Sequence, residues 1–194
     1  MAAFFQSLGR TITAGIVIVI IMIAIGGTFG RMGSMDYWVF FMRWLHIMSG
    51  VMWIGLLWYF NFVQTPSMPK IPDEHKPAIS KVIAPAALFW FRWAALSTLV
   101  TGLLLGGMFG WIGHALSLQR PYAGIGAGMW MGIIMAFNVW FVIWPNQKKV
   151  LGIVPAEAPA KAAAAKMAGA ASRINTMLSI PMLYCMASFS HGGF

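Results

Sequence analysis

The sequence predicts an all-α, polytopic membrane bundle of about five transmembrane helices, and three observations carry that prediction. First, 60% of the 194 residues are hydrophobic and only 9% are charged, with a mean hydropathy of +0.77, well outside the composition of a soluble domain. Second, the charges fall in short clusters between long apolar runs, the distribution that topology selection produces. Third, those runs do not alternate as barrel strands would, so a lipid-embedded backbone must satisfy its hydrogen bonds within helices. The net charge of +9 therefore belongs to membrane topology. A nucleic-acid partner is excluded, because the chain has too little solvated surface to carry a basic footprint. The single cysteine, Cys185, excludes a disulfide framework, a CxxC metal site and a CxxCH covalent haem site.

The predicted spans are 11–30, 37–64, 84–113, 123–144 and 174–190, within one membrane domain, 1–194. Arg10 and Arg31 bracket the first, an Ile- and Val-rich run long enough to cross a hydrocarbon core about 30 Å thick. It ends in Gly27-Thr28-Phe29-Gly30 with no small-x-small cleavage site, so it reads as an uncleaved anchor. Tyr37 and Trp38 open the second span, and Trp111 and Trp144 close the third and fourth, where interfacial aromatic belts belong. Pro181 interrupts the fifth. The preceding loop, 146–173, carries an Ala-rich stretch from Lys161 to Ala171 that is helix-prone and can extend span five inward; its lysines do not line one face, so it reads as a solvated connector before a lipid-surface helix.

Orientation follows from the loops. Arg10, Lys70, Lys76, Lys81, Lys148, Lys149, Lys161, Lys166 and Arg173 all fall on one side, against Arg31 and Arg120 on the other. That bias predicts the amino terminus inside, on the cytoplasmic side, and the carboxyl terminus outside, on the periplasmic side of an inner membrane of the kind implied by the resemblance given below.

Leu, Ile and Trp explain membrane residence, so information about function must come from polar groups at membrane depth. Span two holds Arg43, Trp44, His46, Ser49 and Gly50. Arg43 and His46 are three residues apart, and His46 and Gly50 four, so the three share a helix face. His46 lies about 9 Å below the outer surface at 1.5 Å per residue, and an ionisable group at that depth is a functional-site candidate. Arg92 poses the same problem in the inner half of span three. All four acids, Asp36, Asp73, Glu74 and Glu157, lie outside the spans. The anion beside Arg43 must come from a haem propionate, a lipid phosphate, a partner subunit or a substrate. For Arg92, snorkelling or a partner chain is the expectation.

His75 sits among loop charges and reads as solvated. His114 and His191 lie on the outer side with His46, so two imidazoles from different helices are available to ligate a haem iron, with copper as the alternative metal. His46 and His191 are the expected metal ligands, with His114 as the alternative second one. Glycines 102, 106 and 110 in span three and 124, 128 and 132 in span four form stripes that read as close packing first. Gly50, one turn below His46, leaves room for a flat macrocycle. The methionines form no Met-x-x-Met array and read as filler.

The string Arg43-Trp44-Leu45-His46, followed by Gly50, Trp53-Ile54-Gly55 and Tyr59-Phe60-Asn61-Phe62-Val63-Gln64, resembles the amino-terminal membrane domain of the bacterial membrane-bound urate oxidase family. So do Asn138-Val139-Trp140-Phe141-Val142-Ile143-Trp144-Pro145-Asn146-Gln147 and Arg173-Ile174-Asn175-Thr176-Met177-Leu178-Ser179-Ile180-Pro181. The resemblance implies an inner-membrane redox protein that binds haem, with His46 as the leading candidate ligand. Full-length members look longer, with further spans and a cytochrome c domain carrying CxxCH. This chain resembles a short form without that domain.

Together these readings predict a membrane redox subunit that binds haem b through His46, Arg43, Gly50 and His191. It would sit among membrane lipids in an oligomer or complex, passing electrons to a separate cytochrome or respiratory complex. The alternatives are a non-catalytic accessory subunit of a larger membrane assembly and a small urate-type oxidase or dehydrogenase acting on an anion held near Arg43.

Overall fold

Isoleucine and valine are poor helix formers in water, yet the first apolar run is helical in the computed structural model, which describes residues 2–193. In lipid the backbone has no other way to pair its polar groups. This helix, α1 (Leu8–Ile25), starts where the Ser7 side chain accepts from the backbone N–H of Arg10 at 3.5 Å, and it stops at Gly26. Gly27 follows at φ 64°, a left-handed conformation that suits glycine. The helix therefore ends five residues short of the predicted span, 11–30. None of its residues is buried against the rest of the chain.

Five more helices follow: α2 (Met35–Lys70), α3 (Lys76–Met108), α4 (Ile112–Leu116), α5 (Ala123–Val150) and α6 (Ala158–His191). Among the described residues there is no strand. Four helices, α1, α2, α3 and α5, are long and apolar enough to cross a membrane, close to the expected five. By backbone packing the chain divides into two compact units, Met1–Phe41 and Met42–Phe194. In the first, the Trp38 indole N–H donates to the Met32 carbonyl at 3.0 Å, and the Tyr37 and Phe41 rings stack with centroids 6.4 Å apart.

The second unit is built around Trp53, Leu57, Phe91, Ala95, Met135, Val139 and Ile143, all buried. Helix α6 runs along this core with Ala164, Ala168, Ala171, Asn175, Ser179 and Met182 buried. Their spacing of three and four residues makes one helix face. Small side chains there let α6 lie close to α5, as small-residue faces do in membranes. The Ala-rich stretch thus extends the fifth span inward as its helix propensity allows, and it is the packed start of α6 rather than a solvated connector. Nor does Pro181 interrupt the last span: α6 is continuous for 34 residues with Pro181 inside it. Span three is shorter than 84–113 at its C-terminal end, because Gly110 at φ 79° turns the chain into the separate α4.

Three segments have π-helical pairing: Tyr59–Gln64 in α2, Ile79–Ile83 in α3 and Asn138–Ile143 in α5. In each case a proline stands two residues after the segment: Pro66, Pro85 and Pro145. A proline ring inside an α-helix collides with the carbonyl four residues back and removes a donor. Widening the preceding turn relieves the collision without breaking the helix. Asparagine side chains bond to helix carbonyls one turn back. Asn61 Nδ2 donates to the Leu57 carbonyl at 2.9 Å, and Asn146 Nδ2 donates to that of Val142 at 2.8 Å.

The same widened turns are tied to α6. Asn61 Nδ2 also donates to Ser172 Oγ at 2.8 Å, and Trp58 Nε1 donates to Ser179 Oγ at 3.0 Å. Asn138 Nδ2 donates to Asn175 Oδ1, and Asn175 Nδ2 to the Met135 carbonyl, both at 2.9 Å. With no water at this depth, such bonds fix which faces of the helices meet.

Candidate functional site

Between α2, α3, α5 and α6 the second unit leaves a cavity of about 770 Å³, inside the roughly 300–1,000 Å³ range of cofactor and small-molecule sites. Helix α2 contributes Arg43, His46 and Trp53 to its wall, and α3 contributes Thr98, Gly102 and Phe109. Met129 comes from α5, and Met182, Met186 and His191 come from α6.

His46 is held by α3. Its Nδ1 lies 3.0 Å from the Thr98 carbonyl and 3.2 Å from Thr101 Oγ1. The Thr101 hydroxyl donates its own proton to the Ser97 carbonyl at 2.6 Å, so both neighbours of Nδ1 are acceptors. Nδ1 therefore carries the ring proton, and Nε2 keeps its lone pair. A carbonyl bond to the distal nitrogen fixes the tautomer and ring orientation of a metal-ligating histidine.

Gly102 provides the space for this ring. A Cβ at that position would stand 2.8 Å from His46 Cε1, so the imidazole rests on bare backbone. Ser49 and Ser97, 3.0 Å apart, make a second polar link between α2 and α3.

Arg43, one turn above His46, is exposed, with its Cζ 5.3 Å from the Phe109 ring centroid. Among the described residues the ion pairs are Lys76–Asp73 at 2.6 Å and His75–Glu74 at 4.0 Å, so Arg43 meets no carboxylate. His191 also lines the cavity, near the end of α6. Its Nδ1 lies 2.9 Å from the Ala187 carbonyl, which again leaves Nε2 with its lone pair.

The other expected residues lie elsewhere. His114 is outside the cavity wall, with Nδ1 2.7 Å from Gln119 Oε1 and its ring against Tyr122. Gly50 also lies off the wall, and a Cβ there would make only an ordinary contact, 3.9 Å from Thr98 Cγ2. His75 sits exposed beside Glu74. Arg92 lies away from the cavity and stacks its guanidinium on Trp144, 3.4 Å from the ring centroid, with Nε and Nη1 buried and unpaired. Lys148 approaches the same ring at 5.8 Å. The guanidinium thus meets an aromatic face within its own chain.

The sequence reading did not single out Thr98, Thr101 or Trp53, nor Met182 and Met186. Trp53 carried a signal: it follows His46 by seven residues, two turns on the same face. The two methionines had none, since they reach the cavity only through the docking of α6.

A helical membrane-type protein with a largely apolar cavity, two oriented imidazoles and a guanidinium that meets no carboxylate among the described residues is the class that fold and site define. Residues 106–193 match the family described as urate oxidase N-terminal, which makes this part of the chain a urate oxidase N-terminal-like region. It takes in α4, α5, α6 and the end of α3, hence the Met and His191 side of the cavity, while Arg43 and His46 precede it. No curated protein and no solved structure matches the chain.

Proposed function

We propose that the protein is a membrane redox subunit whose cavity binds haem b, with His46 Nε2 as an axial ligand. The observation that carries the reading is the His46 imidazole, tied through Nδ1 to the Thr98 carbonyl and facing a cofactor-sized apolar cavity. Among the described residues no group of three or more His, Cys, Asp or Glu could hold a metal ion. That favours a haem, whose macrocycle supplies four ligands of its own iron, over a copper centre built from side chains alone.

His191 Nε2 is the second ligand from the cavity wall, in place of His114. Arg43 is the cation for a propionate, and the bare backbone at Gly102 keeps the imidazole upright. The bound group would supply one-electron exchange between ferric and ferrous iron. The chain's own part is to hold it, keep water from it with Leu99, Met129 and Met182, and tune it through the Thr98 bond. Electrons would pass to a separate cytochrome or respiratory complex. The charge bias of the loops supports an inner-membrane location with the amino terminus cytoplasmic.

The test is a reduced-minus-oxidised spectrum of the gently solubilised protein. A b-type difference spectrum that His46→Ala abolishes, at unchanged helix content, is the expected result. A colourless, normally folded preparation overturns the proposal. If a partner then co-purifies at fixed stoichiometry, the accessory-subunit reading takes its place. Urate oxidation with an added acceptor, lost in Arg43→Ala, would make the protein an enzyme in its own right.

A further inference from the structure

Two cations meet at one indole away from the cavity. The Arg92 guanidinium and the Lys148 ammonium lie over the Trp144 ring, 3.4 and 5.8 Å from its centroid, which puts the two positive charges within about 9 Å of each other. The aromatic face attracts both and neutralises neither. Among the described residues neither cation belongs to an ion pair. Nε and Nη1 of Arg92 are buried; Nη2 is not, and it meets no acceptor among the described residues, so it is the guanidinium nitrogen that a ligand can reach. Trp144 closes an expected span, at the level where lipid phosphates begin.

Next to these cations α3 and α5 leave a second hollow of about 340 Å³, lined by Leu96, Ala136, Phe137, Trp140 and Phe141. Leu99 and Ile133 also border it, and these two it shares with the larger cavity. It starts one turn from the charges on each helix, since Leu96 follows Arg92 by four residues and Trp140 precedes Trp144 by four. The Trp140 indole N–H donates to the Arg92 carbonyl at 3.2 Å, so the hollow offers no charge and no free donor. Phe137 and Phe141 are 56% and 68% exposed, which makes it a groove on the outer face of the helix pair. A free phosphate would leave this groove empty. A zwitterionic headgroup would bring its own ammonium beside two cations.

We infer that the protein binds an anionic phospholipid here, its phosphate at Arg92 Nη2 and Lys148 Nζ and one acyl chain along Leu96, Phe137, Trp140 and Phe141. The haem reading gives none of these six residues a role.

The test is native mass spectrometry of the full-length protein released from detergent micelles, after titration with phosphatidylglycerol or with phosphatidylcholine of the same chains. Wild type is expected to bind phosphatidylglycerol about tenfold more tightly. Arg92→Gln and Lys148→Gln should each weaken phosphatidylglycerol about fivefold and leave phosphatidylcholine unchanged, while Arg10→Gln, which removes the same charge from the unit Met1–Phe41, changes neither. Equal binding of the two lipids, a preference that survives in both variants, or one that falls as far in Arg10→Gln overturns the inference. Should Arg92→Gln fail to fold, Lys148→Gln and the wild-type comparison decide. Glycerol 1-phosphate, which carries the phosphate without chains, is the soluble competitor. Displacement of the lipid only above about a hundredfold excess supports the groove's part, and displacement at equal concentration assigns the cations to a soluble phosphate ester and refutes the lipid. Pigment is scored in the same preparation. A colourless protein that keeps the preference loses the haem alone, and a pigmented one without it loses the lipid alone.

Discussion

Two glycines near His46 make opposite predictions. A methyl at Gly102 would stand 2.8 Å from the imidazole, closer than non-bonded carbons approach, while one at Gly50 would find an ordinary contact at 3.9 Å. Gly102→Ala is therefore expected to displace the ring from the Thr98 carbonyl and to weaken or abolish the b-type spectrum. Gly50→Ala should leave the spectrum intact and, by its higher helix propensity, stability unchanged or raised by up to about 1 kcal/mol. Difference spectra and thermal melts of the two variants check this. A further residue-level prediction concerns the loop that joins α2 to α3, where the Lys76 ammonium bonds to the exposed Asp73 and holds its carboxyl below the ordinary range. With a depressed native pKa, the stabilising contact is present at neutral pH and is lost as pH falls through the native value. Carboxyl titration by NMR should place Asp73 below a free aspartate in wild type and return it to the ordinary value in Lys76→Ala. The candidate site was only partly legible from residues. Arg43 and His46 stood out because charge is rare at depth, and His191 because imidazoles are few. Gly102 stood out only as part of a packing stripe, and Thr98 and Met186 not at all, since a hydroxyl and a thioether are unremarkable in a span until another helix is laid against them.

At the scale of the element, apolar runs and charged punctuation made the long helices legible, and their errors have separate physical origins. Span one was read to Gly30 because its composition stays apolar after Gly26 and Gly27 have ended the helix. Pro181 was read as a break because proline removes a hydrogen bond, yet α6 runs through it unbroken. The π segments were not foreseen, although their marker is visible in hindsight as a proline in second place after each. The Ala-rich stretch was legible as helix that extends the fifth span, but its packing was missed because its lysines show no single face, while its burial comes from alanines 164, 168 and 171. Asn175 belongs to this scale, since it is fully buried and joins α6 to the widened turn of α5. Asn175→Ala would strand Asn138 Nδ2 and leave the Met135 carbonyl with the Asn138 backbone N–H alone. We expect a loss of about 1–2 kcal/mol, read as a lower midpoint in detergent or thermal unfolding of the purified protein. Ser172→Ala, which leaves Asn61 its bond to Leu57, should cost less.

At the scale of the whole molecule, every residue of the cavity wall lies in the unit Met42–Phe194. A chain lacking residues 1–33 is thus expected to keep the cavity's ligand and spectrum, even where its insertion into the membrane is less efficient. Absorption per mole of purified truncated protein measures this directly. The cavity also bears on folding. Interiors are close-packed, and a void of this size forfeits contacts on every wall that borders it. Whatever fills it supplies part of the hydrophobic core that the sequence itself leaves out. By mass action, a ligand at a hundred times its dissociation constant adds about 2.7 kcal/mol to the native state. The protein's lifetime in the cell would then follow the supply of its ligand, and cells starved of that ligand would clear the chain as they clear a destabilised mutant.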